Sequence, residues 1–345
     1  MAKKKKRINL ALQGGGAHGA FTWGVLERLL QDDSIEICGI SGTSAGALNG
    51  AALKAGMVQN GRDGAQENLR WLWGQVAGVD DMRMTHWLAP FGAEMFSKAL
   101  EYSWHFSAAD ALSQMISPYA YGPFYRNPLQ DIVARFDYDR VCNSVAPLLF
   151  ICATRVRNGK IKIFKGDEIS AEAIMASACL PTLFQAVELD DPDTGQREAF
   201  WDGGYTGNPA LFPLFGNDLP DDIVIVNINP LEREDMPRSP QQIQNRINEI
   251  SFNSSLLREL RAIEFVQRLL DDGTMPEGRM SRVRVHMIAD DALMAKLSVA
   301  TKLVPNGAVI KHLHDAGYAA AEKFLAESGG DLGVRSSIDL DEMFG

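Results

Sequence analysis

Arg7-Ile8-Asn9-Leu10-Ala11-Leu12-Gln13-Gly14-Gly15-Gly16-Ala17-His18-Gly19, and further on Ile35-Glu36-Ile37-Cys38-Gly39-Ile40-Ser41-Gly42-Thr43-Ser44-Ala45-Gly46, decide how this chain folds. Arg7 to Leu12 alternates and then becomes wholly apolar, the pattern of a buried strand. Gly14 to Gly16 breaks it. From Gly19 to Leu30, Phe21, Val25, Leu26, Leu29 and Leu30 recur at helical spacing. Ile35 to Ile40 is a second apolar strand ended by Ser41-Gly42, and the small residues from Ala45 to Met57 predict a helix. Strand, glycine loop, helix, strand, tight turn and helix make an α/β opening with parallel strands.

Outward from that opening, Leu129 to Phe136 reads as helical. Pro147 to Val156 and Lys160 to Lys165 read as strands around the turn Arg157-Asn158-Gly159. Ala171 to Ala178 is a small-residue helix stopped by Pro181, and a strand pair around Asp191 to Gly195 leads into Phe200-Trp201-Asp202-Gly203-Gly204. Asp222 to Asn227 and Val283 to Ile288 are further strands. Gln241 to Leu270 is an amphipathic helix with Ile243, Ile247, Ile250, Leu257, Leu260 and Ile263 on one side, and Val309 to Leu325 is the last helix. No repeat and no Ser/Gly-rich linker divides the 345 residues. The expected organisation is a basic tail at 1–7, one α/β domain over 8–330 with an insertion at about 80–125, and a C-terminal tail at 331–345.

Composition narrows the function classes. With 46% hydrophobic and 23% charged residues the chain is neither disordered nor a disulfide scaffold. Its apolar runs are far below the roughly 18 residues of a membrane span. The net charge of −10, with Lys3-Lys4-Lys5-Lys6-Arg7 as the one dense basic run, argues against a nucleic-acid surface. That run reads first as a solvated terminus; a peripheral contact with anionic lipid is the alternative. No apolar segment of signal-peptide length follows it. Cys38, Cys142, Cys152 and Cys179 form no metal-type spacing, and the six histidines form no ligand set, so neither metal nor cofactor is expected. These features together point to a cytoplasmic protein.

Gly14, Gly16 and Gly19 satisfy G-x-G-x-x-G, but the second strand ends in Ile40-Ser41-Gly42 with no acid to hold a ribose, which weakens a dinucleotide site. Gly42-Thr43-Ser44-Ala45-Gly46 occupies that strand end instead. G-x-S-x-G between strand and helix is the elbow that projects a serine from a tight turn at a helix N-terminus. Neighbouring strand ends would bring the amides of Gly14, Gly15 and Gly16 beside Ser44 as an oxyanion hole. Asp202, before two glycines at another strand end, is the candidate base; spacing alone leaves it equally readable as an Asp-Gly-Gly turn.

With these three motifs in this order, the chain resembles the bacterial patatin-like phospholipases and acyl hydrolases over about residues 8 to 215. The likeness includes Ala176-Ser177-Ala178-Cys179-Leu180-Pro181. The resemblance implies a three-layer patatin-like α/β fold with a mostly parallel central sheet flanked by helices. It also implies a Ser44–Asp202 dyad without histidine that cleaves carboxylic esters of lipids through an acyl-enzyme. In one departure, His18 stands where the family's loop usually has Arg or Lys.

Residues 71 to 125 hold 12 of the 29 aromatic residues, joined by Met82, Met84, Met95 and Met115. They are expected to form an aromatic-rich insertion, either a wall for the acyl chain or a second core. Two other classes stay open. One is a Ser-Asp-His α/β-hydrolase using His286, His312 or His314. The other is a catalytically idle member that binds lipid or a partner. A carboxylate base is expected to hold activity at mildly acidic pH, where an imidazole loses it below about 6.5.

Overall fold

The strands of the sheet are β1 (Lys6–Leu12), β2 (Ile35–Thr43), β3 (Leu148–Arg155), β4 (Ile161–Lys165), β5 (Val187–Asp191), β6 (Gln196–Asp202), β7 (Asp222–Val226) and β8 (Arg284–Ile288). The computed structural model describes residues 5–78, 117–216, 218–234, 236–276, 278–297, 301–302 and 305–344. The strand order is β5-β6-β3-β2-β1-β7-β8, with β4 also paired to β3. The chain lays β2 and then β3 on one side of β1, and later β7 and β8 on the other. The carboxyl ends of β1 and β7 therefore flank the point where strand order reverses, the usual site of a crevice in an open α/β sheet, and the end of β2 lies beside it.

The sheet is mixed, which corrects the expectation of a mostly parallel one. β1–β2, β1–β7, β2–β3 and β7–β8 are parallel, whereas β3–β4, β3–β6 and β5–β6 are antiparallel. The reason is local. The turns at Arg157-Asn158-Gly159 and Asp191 to Gly195 are too short for a crossover helix, so each following strand must return antiparallel. Gly159 and Gly195 take the positive φ those turns need, at 66° and 65°.

Alternation along the strands divides the core. Leu10, Leu12, Val224 and Val226 pack on one face with α1 (Gly19–Leu30), α2 (Ala45–Gly78), α3 (Ala171–Ser177) and residues of α5, while Ala11, Ile223, Ile225 and Val285 pack on the other with Leu256, Leu260 and Ile263 of α4. Here α4 is Pro240–Asp271 and α5 is Gly307–Glu327.

Three expectations change. First, α4 buries Glu249, Asn253, Leu256, Leu260 and Ile263, whereas Ile243, Ile247 and Ile250 are 44%, 53% and 54% exposed, so the isoleucines lie on the outer face. Second, residues 331–344, expected as a tail, pack onto the sheet: Ser337 N–H donates to the Val285 carbonyl (3.1 Å), and Leu332 and Leu340 are buried. Lys6 and Arg7, placed in the basic tail, already belong to β1.

Third, most of the aromatic insertion at about 80–125 lies outside the described residues. Those of its aromatics that are described form no cluster. Before the insertion, in α2, Trp71 meets Phe136 edge-on at 5.8 Å and Trp73 donates to Asn49 Oδ1 (2.9 Å), and within it the Tyr125 hydroxyl accepts from the Gln185 N–H (3.2 Å).

A buried ion cluster fastens the antiparallel half. Asp191 Oδ2 accepts from Arg155 Nε at 2.5 Å and its Oδ1 lies 3.1 Å from Lys162 Nζ, while Asp193 and Glu168 also contact Lys162 at 2.9 and 3.0 Å. Lys162 and Asp191 side chains are almost wholly excluded from solvent. Asp191→Ala is expected to cost about 3 kcal/mol in urea unfolding, because it removes the one fully buried carboxylate that Arg155 and Lys162 share and leaves them only the more exposed Asp193 and Glu168. Glu188→Ala, which removes the exposed partner of Arg197, should cost under about 1 kcal/mol.

Candidate functional site

Ser44 follows β2 and precedes α2, and at φ 55° it is the one non-glycine residue with positive φ among the described residues. A bulkless environment makes that turn possible. A Cβ at Gly46 would sit 2.1 Å from the Leu12 carbonyl oxygen, and one at Gly14 would sit 2.7 Å from Ser44 Cβ. The elbow and the glycine loop are therefore in backbone contact. Thr43 and Ser41 hydroxyls tie the strand below it to the Gly207 and Ala210 carbonyls (2.6 and 2.5 Å), and Ser44 N–H donates to Ser177 Oγ (2.9 Å).

Strand register brings Asp202 to the same level. Thr43 is opposite Cys152 on β3, and the next residue, Ala153, is opposite Asp202 on β6. Asp202 is 2% exposed. Its Oδ1 accepts from Gly204 N–H (2.7 Å), and its backbone is fixed by Asp202 N–H to the Cys179 carbonyl (2.8 Å) and by Thr154 Oγ1 to its own carbonyl (2.9 Å). Burial pushes its carboxyl up to about 7, against the opposing pull of hydrogen bonds from Gly204 N–H and the Ser44 hydroxyl. The neighbouring thiols of Cys152 and Cys179 are also pushed up by burial, the latter to about 12, so they are inert thiols at neutral pH.

The glycine loop is held by buried amides. Gln13 Oε1 accepts from the N–H groups of Ile228 (2.8 Å) and Asn229 (3.0 Å), while its Nε2 donates to the Asn208 carbonyl and to Asn253 Oδ1, each at 3.1 Å. Asn229 Nδ2 donates to the Gly14 carbonyl (2.9 Å). Gly14 N–H donates to Asn208 Oδ1 (2.7 Å), which removes it from the expected trio of oxyanion donors. Gly15 and Gly16 amides have no acceptor among the described residues. His18 is fully buried with Nε2 2.8 Å from Thr301 Oγ1; burial first, then nearby Lys302, holds its ring well below the usual range and therefore neutral.

The histidines considered for a triad are engaged elsewhere. His286 Nε2 is 3.1 Å from Asp222 Oδ1 and sits in mid-strand opposite Val224, below the carboxyl ends of the sheet. His314 lies between Glu27 (2.8 Å) and Asp315 (3.1 Å) against Trp23, and His312 is exposed. Among the described residues no histidine hydrogen-bonds Ser44 or Asp202, and no group of three or more His, Cys, Asp and Glu is placed to hold a metal ion.

A cavity of about 180 Å³ opens at Ser44 and Gly16. Its walls are apolar, with Leu48, Leu72, Trp73, Ile132, Leu183 and Phe184 prominent. Asn208, Asn229, Asn253 and Ser177 were not singled out as site residues by sequence reasoning. The readable signal was two of the three Asn-Pro dipeptides, Asn208-Pro209 and Asn229-Pro230, which lie in the segments following β6 and β7.

Residues 10–215, more than half of the chain, match the family described as patatin-like phospholipase. No curated protein matches. Among solved structures, VipD from Legionella pneumophila aligns at 15% identity with a TM-score of 0.43, over 93% of this chain and 67% of that one.

The Asp202 environment makes a stability prediction. A carboxyl raised on folding contributes stability that is fully present below its unfolded value of about 4 and is lost as pH rises through about 7. Asp202→Asn is therefore expected to raise stability at pH 8 by an amount on the order of 3 kcal/mol, with the difference closing at acidic pH. Denaturant titrations at two pH values check this.

Proposed function

The chain belongs to the patatin-like phospholipase family, a family of lipid-acting hydrolases, and on that footing we propose that it cleaves carboxylic esters of lipids with Ser44 as nucleophile and Asp202 as base. The observation that carries this reading is the strained Ser44 turn, open to an apolar cavity and brought by strand register to the level of the buried Asp202 carboxyl. A serine held at positive φ carries backbone strain of the kind that clusters at active sites.

Asp202 takes the Ser44 hydroxyl proton as Ser44 Oγ bonds to the ester carbonyl carbon. The carbonyl oxygen becomes an oxyanion, stabilised by the amides of Gly15 and Gly16; Gly14 serves as an anchor through Asn208 and Asn229. As the intermediate collapses, the ester C–O bond breaks and the alcohol leaves with the proton from Asp202. Asp202 then deprotonates a water that attacks the acyl-enzyme, and the released proton returns to Ser44. The N-terminus of α2 adds a favourable dipole for the developing charge. The apolar cavity takes the acyl chain.

Because Asp202 must be ionised to act, kcat/KM is expected to rise with pH through about 7 and then level off. This differs from the activity at mildly acidic pH expected of an ordinary carboxylate, so the acid limb does not separate carboxylate from imidazole. Variants do. Ser44→Ala should abolish ester hydrolysis and labelling by a fluorophosphonate, and Asp202→Asn should sharply slow labelling. His312→Gln and His314→Gln should change kcat by no more than a few-fold, whereas loss of a relaying imidazole costs on the order of 10³-fold or more. Hydrolysis surviving in Ser44→Ala would refute the assignment.

A further inference from the structure

Ser177 is the last residue of α3, and its hydroxyl serves a distant part of the chain. Ser170 caps the helix by accepting the Ala173 N–H (3.2 Å), and Ala173, Ile174 and Ala176 are fully buried, so its last turn is well anchored. Ser177 is itself fully buried. A serine inside a helix commonly returns its hydroxyl to a carbonyl one turn earlier. Ser177 Oγ faces the Ser44 N–H, which it accepts at 2.9 Å across 133 residues of sequence.

That bond falls on the most strained residue of the site. Ser44 sits at φ 55°, a conformation that persists only where the surroundings over-determine it, and its N–H needs an acceptor once buried. Two residues beyond Ser177, the same segment acts on the other member of the pair: the Cys179 carbonyl accepts the Asp202 N–H at 2.8 Å. Cys179 is fixed in turn, its N–H donating to the Ala176 carbonyl (3.2 Å) and its Sγ to the Gln185 carbonyl (3.1 Å). Residues 177–179 thus grip the backbones of Ser44 and Asp202, which come from the ends of two different strands.

Resting on the acyl-hydrolase reading, we propose that Ser177 is a positioning residue for that reaction: its hydroxyl holds the Ser44 turn while Cys179 holds Asp202, so that one three-residue segment sets the separation of nucleophile and base. Ser177 acts through the Ser44 backbone and transfers no proton. Misplacing a reacting group by about 1 Å costs on the order of 100-fold in rate, so one backbone bond here is worth a large factor.

The test uses Ser177→Ala, which deletes the acceptor, and Ser177→Cys, which fills nearly the same space with a weak acceptor and keeps the test open if the alanine variant does not fold. On a short p-nitrophenyl ester, Ser177→Ala is expected to lower kcat about ten- to hundredfold and to leave KM within about threefold, because Ser177 does not line the cavity. Fluorophosphonate labelling of Ser44 should slow by a similar factor, and Ser177→Cys should fall between alanine and wild type. The pH midpoint of kcat/KM should stay at its wild-type value, since Asp202 keeps its bond to Cys179. Wild-type kcat in either variant, a loss that falls on KM, or a moved midpoint would overturn the proposal. A second arm needs no turnover. Hydrogen exchange at the Ser44 amide should speed at least about tenfold in Ser177→Cys while that of the Asp202 amide is unchanged. Unchanged exchange at Ser44 would count against Ser177, whereas absent hydrolysis and labelling in wild type would count against the hydrolase reading alone.

Discussion

Two backbone segments meeting without room for a side chain between them is the constraint on which the site depends. The end of β1 and the first turn of α2 approach so closely that a methyl group at Gly46 would collide with the Leu12 carbonyl, and one at Gly14 with Ser44 itself. That contact fixes where the serine points relative to the Gly15 and Gly16 amides. Neither element can shift alone, since Gly14 is bonded on both its N–H and its carbonyl, to Asn208 and Asn229. The strain of a serine at φ 55° is retained because everything around it is already committed.

What holds the contact is a set of buried amides rather than charges. Gln13 alone reaches β7's exit, the Asn208 loop and α4 through Ile228, Asn229, Asn208 and Asn253. Amides suit this place. Each carries donors and acceptors that can satisfy backbone groups in several directions, and none places a fixed charge beside the Gly15 and Gly16 amides. The same economy explains His18, which burial keeps neutral beside the loop. The positive charge near the site comes instead from Lys302, on a segment far away in sequence.

The parts of this arrangement that were legible in the sequence are those set by local chemistry. The strand, glycine loop and helix at 7–30 follow from periodicity, and the elbow at 42–46 from its glycines, because each pattern is decided within a dozen residues. The direction of the sheet was harder. The Asn158-Gly159 and Thr194-Gly195 turns are visible in the sequence, and connections of four or five residues can only yield antiparallel neighbours, whereas the mostly parallel sheet was what the resemblance implied. The isoleucines of α4 misled for another reason. Period alone cannot say which of two apolar stripes faces inward, and here the inward stripe carries Glu249 and Asn253, polar residues wanted by the loop network and by Arg233. Asn208 and Asn229 were invisible as partners because their meaning lies in a contact across some 200 residues.

The antiparallel half has its own consequence for chemistry. A parallel strand beyond β3 would deliver its following loop at the carboxyl edge only after a helical crossover. β6 runs the other way and still ends at that edge, because it pairs only briefly with β3, Ala153 against Asp202 and Arg155 against Phe200. Its last residue is thus anchored on both sides, by Cys179 and Thr154, and its carboxylate is turned inward under the Gly204 amide. A carboxyl on a mobile loop would be solvated and have an ordinary carboxylate's acidity. One at the end of a buried strand is dry, and dryness raises its basicity, in the direction the proposed role as base calls for. The ion cluster of Arg155, Lys162 and Asp191 ties β3 to the neighbouring β4 and β5. The basicity of Asp202 therefore follows from the end of a short strand being held without water.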